Sequence, residues 1–428
     1  MKKIVGILFW VALAVMAQAQ TKIVVISDIH VMGHGLLIND GPAWQQHLAK
    51  DRKMLDKSRE LLDAMVERLK TDIRPQLVLI TGDLTKDGEL ASHEYVVGKL
   101  DELREAGIHT LVIPGNHDLG NANAVTYDGD KKTRVTVPTQ ANFAKLYANY
   151  GYDEHADREN STLTYTNEPI PGLVVIGIDS GENGWLSNMT LNWVCNKAME
   201  ARKAGKQVVA MMHHPLFPHF HGVEKFVDTA VISNYEHVRN RLADAGIGLI
   251  FTGHFHTSDI AKDYNADLSK VIYDVNTGSL ISYPCDYRLV TVSHDLHTWD
   301  ITTGHITHLP DDAQFSTTSK QRLMASVKHL LSSKNAALSL FADDAADCFI
   351  IHAEGNEHQS PKGQEILKKL EGMMQEAEQF TEMVPKLKNK IADVDKMMHS
   401  ILKDISEYGV PGRENQTDDL TLTIELPK

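Results

Sequence analysis

A chain of 428 residues is long enough to bury a large core and, at ordinary domain sizes, to make roughly two or three domains. Its 43 lysines and arginines against 57 aspartates and glutamates leave a formal charge of −14, which excludes a broad nucleic-acid or anionic-membrane surface, so an anionic partner needs a local attractor such as a metal centre. Cys195, Cys285 and Cys348 stand far apart in no CxxC or Cys/His cluster, which excludes a disulfide framework and reads as small buried hydrophobes.

The chain starts with Lys2 and Lys3, an apolar run from Ile4 to Val15, and Ala17-Gln18-Ala19. That is the pattern of an export signal over 1–19, cleaved after Ala19, and it implies a periplasmic or secreted protein. The run is shorter than the roughly 18 apolar residues of a spanning helix, and no later run reaches that length, so no membrane span is expected after cleavage. No cysteine follows the site to carry a lipid.

Ile23-Val24-Val25-Ile26 reads as a buried strand running into Ser27-Asp28-Ile29-His30. From about Arg52 to Leu69, the residues Leu55, Leu61, Leu62, Met65, Val66 and Leu69 recur at helical spacing. Leu77-Val78-Leu79-Ile80 is a second strand, leading into Thr81-Gly82-Asp83-Leu84-Thr85-Lys86-Asp87-Gly88. A helix follows over Glu89 to Ala106, ended by Gly107, and Thr110-Leu111-Val112-Ile113 is a third strand leading to Gly115-Asn116-His117-Asp118. From there to about Leu163 periodicity fades, with Tyr127, Tyr147, Tyr150 and Tyr152 in a long insertion that predicts a short helix and a lid or binding loop.

Leu173 to Ile178 is the next strand, Leu191 to Ala204 a helix, and Gln207 to Met212 a strand ending at His213-His214-Pro215. Asn234 to Ala245 reads as helix, and Ile247 to Phe251 as a strand ending at Thr252-Gly253-His254-Phe255-His256. The β-rich pieces Val271–Val275, Leu289–Val292 and Trp299–Thr302 predict antiparallel strands closing a second sheet, with helices packed outside a two-sheet core. After about Pro310 the composition turns helical. Ile366, Leu370, Met373, Ala377 and Phe380 form one stripe, and Ile391, Val394, Met398, Ile401 and Ile405 another. Leu420, Leu422, Ile424 and Leu426 alternate with polar residues, which predicts a terminal edge strand. The expected division is 1–19 signal, 20–309 catalytic domain and 310–428 helical region.

Five apolar runs are followed within a few residues by metal-coordinating groups: Asp28 and His30, Asp83, Asn116, His213, and His254 and His256. Asp-x-His and His-x-His alternate, so in an extended segment both ligands point to one side. Carboxylate, imidazole and amide oxygen without thiolate suit Zn, Mn or Fe and exclude a thiolate zinc knuckle. Seven ligands are too many for one zinc and fit two ions that share a carboxylate.

The ordered set Asp28-Ile29-His30, Gly82-Asp83, Gly115-Asn116-His117-Asp118, His213 and Gly253-His254-Phe255-His256 resembles the calcineurin-like metallophosphoesterase superfamily over about Lys22 to Thr302. The resemblance implies a four-layer α/β fold with a β-sandwich core and a dinuclear centre. In it, Asp28, His30 and His256 hold one ion, Asn116, His213 and His254 the other, and Asp83 bridges; His213 is preferred to His214 because the family ligand lies two residues before the proline. It also implies in-line attack on phosphorus by a metal-bridging hydroxide, with His117 at the leaving oxygen as the acid and Asp118 behind it favouring the charged imidazole. Lys86 stands where purple acid phosphatases carry a tyrosine ligand. Gly82-Asp83-Leu84-Thr85 with the following Asp-Gly is more similar to the class III cyclic nucleotide phosphodiesterase branch, whose compact pattern the insertions Val31–Trp44 and Leu119–Thr162 and the helical region exceed.

His34, His219 and His221 are further candidates to line the mouth of the site, and Arg288, close behind Gly278-Ser279, suits a phosphate. His352, Glu354, Glu357 and His358 lack paired spacing and read as a polar turn before Pro361. The leading expectation is an exported dinuclear phosphoesterase acting on a small phosphomono- or phosphodiester. Two alternatives remain open from sequence: a non-catalytic interaction protein on the same fold, and a dinuclear hydrolase of a non-phosphate ester.

Overall fold

A computed structural model describes residues 20–153, 156–220, 222–223, 229–334, 342–355, 357–380, 396–403 and 418–427. The expected export signal, together with His221, Ile391, Val394 and Ile405, lies outside the described residues.

The first part of the chain forms β1 (Thr21–Ile26), β2 (Leu37–Asn39), α1 (Pro42–Lys50), α2 (Ser58–Arg68), β3 (Leu77–Ile80), α3 (Leu90–Glu105) and β4 (His109–Val112). The insertion contributes β5 (Val125–Asp128), β6 (Lys131–Arg134), α4 (Gln140–Leu146) and β7 (Asp157–Arg158). Then come β8 (Tyr165–Ile170), β9 (Leu173–Ile178), α5 (Asn188–Lys203), β10 (Gln207–Met212), α6 (Tyr235–Asp244) and β11 (Leu249–Thr252). Strands β12 (Asp259–Tyr264), β13 (Val271–Asn276), β14 (Asp286–Val292) and β15 (Thr298–His305) lead to helices α7 (Phe315–Lys334), α8 (Ala342–Glu354) and α9 (Pro361–Phe380), a helix over 396–402, and β16 (Thr421–Glu425).

One sheet has the order β16-β15-β14-β1-β3-β4 and the other β12-β13-β11-β10-β9-β8-β7. Every residue of β3, β9, β10 and β11 is buried, as strands covered on both faces must be. Side-chain alternation shows what covers them. Val175, Val209, Met211, Leu249 and Phe251 turn towards the first sheet, while Val174, Ile176, Val208, Ala210 and Ile250 pack on Leu191, Val194 and Ala198 of α5 and Val238 and Leu242 of α6. Leu61, Leu62 and Met65 of α2 and Val96 and Leu100 of α3 join the core on the first-sheet side. The result is helix, sheet, sheet, helix, the four-layer α/β sandwich expected from the motif order.

Register then positions the site. β1, β3 and β4 run parallel with Ile26 opposite Ile80 and Ile80 opposite Val112, and β10 and β11 run parallel with Met211 opposite Phe251. The loops that follow these strands therefore leave at one edge of the sandwich.

The C-terminal helices are not a free appendage. Cys348 and Ile351 of α8, Ile366 of α9, and Met398 and Ile401 close over Phe220 and Phe255, and Leu323 and Val327 of α7 with Ile350 close over Tyr283. β16 returns as the expected edge strand, antiparallel to β15, with Leu422 opposite Ile301 and Ile424 opposite Trp299. Among the described residues no helix is long and apolar enough to cross a membrane.

Candidate metal centre

Asp28 and His30 follow β1, Asp83 follows β3, Asn116 follows β4, His213 follows β10, and His254 and His256 follow β11. The loops are locked by backbone bonds across the edge: Asp28 N donates to Gly82 O at 3.1 Å and His30 N to Asp83 O at 2.9 Å. Ser279 steadies the first of them by donating its hydroxyl to Asp28 O at 2.8 Å. Five of the seven residues, Asp28, His30, Asp83, His254 and His256, hold positive φ, between 37° and 75°. Such strain in non-glycine residues persists only where surroundings over-determine it, and it concentrates at functional sites. Two glycines make the crowding possible: a Cβ on Gly115 would collide with Asp83, and one on Gly253 with Ser27.

The donor atoms fall into two groups. In the first, His30 Nε2 lies 3.1 Å from His256 Nε2, 3.7 Å from Asp28 Oδ1 and 3.4 Å from Asp83 Oδ2, and His256 Nε2 lies 3.2 Å from Asp28 Oδ1. In the second, Asn116 Oδ1 is 3.0 Å from both His213 Nε2 and His254 Nδ1, which are 3.3 Å apart, and His213 Nε2 is 3.4 Å from Asp83 Oδ2. Donors about 2.1 Å from an ion are separated by about 3.0 Å in an octahedron and about 3.4 Å in a tetrahedron, so both groups have the spacing of a coordination shell. Asp83 Oδ2 belongs to both. Its other oxygen accepts from His117 N at 2.8 Å.

Hydrogen bonding fits the same reading. Asp28 is fully buried, and Oδ2 accepts from Ser27 Oγ at 2.6 Å and His254 N at 2.9 Å, while Oδ1 has no donor. His213 Nδ1 faces Thr81 O at 2.9 Å and donates to it, which leaves the Nε2 lone pair on the Asn116 side. Burial, with Lys53 next, holds His30 down at about 3, and burial with His213 does the same to His254. Burial alone would raise Asp28, yet His256 and His30 keep it well below the carboxylate range. Neutral imidazoles and an ionised carboxylate are the forms that bind cations.

His117 sits beside the first group, its ring edge-on to His30 at 4.8 Å. Its Nδ1 is committed to Lys86 O at 2.7 Å and Asp87 Oδ1 at 3.0 Å, so Nε2 is the free nitrogen. Burial disfavours the imidazolium, but Asp83 and Asp87 outweigh burial and Lys53 and raise its pKa. The carboxylate behind His117 is therefore Asp87, and the pairing expected of Asp118 is corrected. Asp118 turns into the loop backbone, accepting from Leu84 N, Thr85 N, Thr85 Oγ1 and Gly115 N at 2.7–3.0 Å. It shapes the turn that carries Asn116 and His117. Asp87 had a sequence signal, since it lies four residues after Asp83 in a turn with Gly88.

Two other expectations are overturned. Arg288 is fully buried, donating to Asn276 O at 2.6 Å, Asp259 O at 3.3 Å, Thr303 Oγ1 and Asp419 O, and has no access to a phosphate. His219 is buried between Asp259 and Asp274, at 3.0 and 3.2 Å, rather than at a mouth. His34 is exposed and contacts Arg59 and the Tyr95 ring, outside both donor groups. Lys86 is buried on Asp87 and Glu89, turned to carboxylates and not to the donor groups. His214 likewise points elsewhere, with Nδ1 2.8 Å from Ser180 Oγ.

His352 and Glu357 do not form a solvated turn. His352 lies in the last turn of α8, its Nδ1 is 2.6 Å from Glu357 Oε1, and both gather with Asp419 in a second buried group. Glu354 instead accepts from Tyr283 and Lys320 at 2.6 Å.

Comparison with known proteins finds the same family. The family model described as calcineurin-like phosphoesterase matches residues 21–258. A probable cyclic nucleotide phosphodiesterase of Moraxella catarrhalis is 22% identical over 237 residues, 55% of this chain and 70% of that protein. Among solved structures, a dimetal phosphatase from Danio rerio aligns with a TM-score of 0.46 at 12% identity, covering 67% of this chain and 96% of its own. A 5'-nucleotidase precursor from Thermus thermophilus aligns with a TM-score of 0.35 at 13% identity, covering 73% and 59%.

Proposed function

Because this chain belongs to the calcineurin-like phosphoesterase family and is a metal-dependent phosphoric ester hydrolase, we propose that it cleaves a small phosphomono- or phosphodiester at the edge where β1, β3, β4, β10 and β11 end. The observation that carries the reading is Asp83 Oδ2, a single carboxylate oxygen within 3.4 Å of donors from both groups. Asp28, His30 and His256 would hold one ion and Asn116, His213 and His254 the other, with Asp83 common to both sets. Two ions held there supply Lewis acidity, lowering the pKa of bound water and offsetting charge on the phosphoryl oxygens for an in-line displacement.

The chain's own groups do the rest. Asp83 Oδ1 fixes the backbone of His117, Asp87 and the Lys86 carbonyl hold Nδ1, and the free Nε2 delivers a proton to the departing alkoxide. Asp118 keeps the Gly115-to-Asp118 turn closed so that Asn116 and His117 keep their places. The N-terminal pattern supports an exported, periplasmic or secreted enzyme, and Mn, Zn and Fe all suit the donor set.

The test is turnover of bis(p-nitrophenyl) phosphate and p-nitrophenyl phosphate by protein loaded with Mn, Zn or Fe. We expect turnover of at least one ester, and a loss of roughly 100-fold or more in Asp83→Ala. Protein that binds close to two ions and turns over neither ester overturns the reading.

A further inference from the structure

Next to His117 lies a cavity of 280 Å³ walled by α1 and the loop after it on one side and by the Leu119–Thr162 insertion on the other. α1 brings His47, the loop after it Lys53, β5 Tyr127 and β6 Lys132, and Asn123 closes the wall. The insertions are tied together independently of the main sheets. β2 pairs with β5 and β5 with β6, Ala43 N donates to Gly129 O at 3.1 Å, and Trp44 packs on Tyr127 at 5.0 Å. Because His117 itself lines this cavity, the alcohol half of an ester cleaved at the neighbouring centre would extend into it.

Three lysines, Lys53, Lys86 and Lys132, and two carboxylates, Asp51 and Asp87, line the cavity, and the lysines are unevenly paired. Lys53 has a side chain only 12% exposed, yet its ion-pair partner among the described residues, Asp51, is 3.9 Å away. Asp51 is already engaged, accepting from Lys53 N at 2.9 Å and lying 3.7 Å from His47 Nε2. Among the described residues no carboxylate pairs with Lys132, which sits 5.3 Å from the Tyr127 ring centre while Lys86 sits 5.6 Å from the same ring. Asp87 and Glu89 are both turned to Lys86, so Lys53 and Lys132 are the cations of this wall whose carboxylate contacts are long or absent among the described residues. His47 Nε2 is buried without a hydrogen-bond partner. Burial, with Lys86 next, holds His47 at about 4, so at neutral pH it is an uncharged hydrogen-bonding group. A largely buried lysine with so distant a partner is costly even in a chain that is net acidic, and an incoming anion would offset that cost.

We propose that this cavity binds the leaving-alcohol half of the substrate and selects, through Lys53 and Lys132, alcohols that carry their own anionic group, a carboxylate or a second phosphate. The proposal rests on the phosphoesterase reading and deepens it, giving these walls the task of specificity.

The experiment measures competitive inhibition of p-nitrophenyl ester turnover by glycerol 3-phosphate, 3-phosphoglycerate and 1,3-propanediol bisphosphate. The first has a neutral alcohol, the second adds a carboxylate and the third a second phosphate. One added charged contact is worth about tenfold, so at least one charged competitor is expected to inhibit about tenfold more tightly than glycerol 3-phosphate. That ratio is expected to drop below about threefold in Lys53→Gln and in Lys132→Gln. Lys132 is exposed on β6, so its replacement does not threaten folding. Equal inhibition by all three in the unaltered enzyme, or an unchanged ratio in both variants, overturns the proposal. If the metal-loaded enzyme turns over neither reporter, the phosphoesterase reading has failed, and direct calorimetric binding of the same three compounds still decides the pocket by the same ratio.

Discussion

Asp87 neutralises Lys86 and holds His117 with the same carboxylate, one oxygen for each. Removing its charge in Asp87→Asn takes away one of the two groups that raise the His117 pKa, while burial and Lys53 still depress it. The imidazolium would then lose its proton at lower pH. Turnover of an alkyl phosphate ester is expected to fall roughly 10- to 100-fold, and the basic limb of its pH profile to move down, whereas a p-nitrophenyl ester, whose leaving group needs little protonation, should lose much less. Equal losses on both esters would remove the acid role from His117. Arg288 makes the opposite case. Its guanidinium satisfies the Asp259, Asn276 and Asp419 carbonyls inside the protein, so Arg288→Met should cost roughly 2–4 kcal/mol in urea unfolding and leave KM for either reporter unchanged. A raised KM without loss of stability would return it to the substrate.

Between β10 and α6 the chain is fastened to β12 and β13 through a histidine. His219 Nδ1 is 3.0 Å from Asp259 Oδ1 and Nε2 is 3.2 Å from Asp274 Oδ2, and burial is outweighed by these carboxylates so that its pKa rises to about 10. A raised folded-state pKa means that the stabilisation is complete below the unfolded value of about 6.5 and is lost as pH climbs towards 10. The urea midpoint should therefore fall as pH rises from about 6.5 to about 9.5, and His219→Gln should be less stable at about pH 6 with a flatter profile over that window. An equally steep decline in the variant would assign the slope to other groups. The sandwich itself was readable because each of its central strands is a continuous buried run, and the candidate centre because its donors sit directly after those runs. The insertion was not. β6 is Lys131-Lys132-Thr133-Arg134, exposed throughout, and a strand that buries nothing has no apolar period to detect, although Gly129 and Asp130 between β5 and β6 were a hairpin signal. Asp118, Arg288 and His219 were misread for another reason: sequence gives the residue type near a site, but the partner of a buried polar group depends on which distant strand arrives beside it.

At the scale of the whole molecule, the candidate centre joins halves of the sandwich that otherwise meet through their apolar faces. Asp28, His30, Asp83 and Asn116 come from one sheet, and His213, His254 and His256 from the other. Ions bound between them would add stability to the native state alone, since the donors are scattered from 28 to 256 along an unfolded chain. At a free concentration about 100 times Kd, each such site contributes about 2.7 kcal/mol. The donors crowd one another at 3.0–3.7 Å in strained loops. Burial alone would lower His213, yet Asp83 and Asp28 raise it to about 9, so a proton can take part of a cation's place. Chelation is therefore expected to weaken the fold without abolishing it, lowering Tm by roughly 5–10 °C in a manner that depends on metal concentration. Asp83→Ala, which removes the oxygen common to both groups, should leave Tm almost insensitive to added metal. Scanning calorimetry of chelated and reloaded protein, with metal content measured on the same samples, checks both statements. An unchanged Tm on moving from metal-free protein to protein holding two ions would mean that the ions do not bridge the sheets.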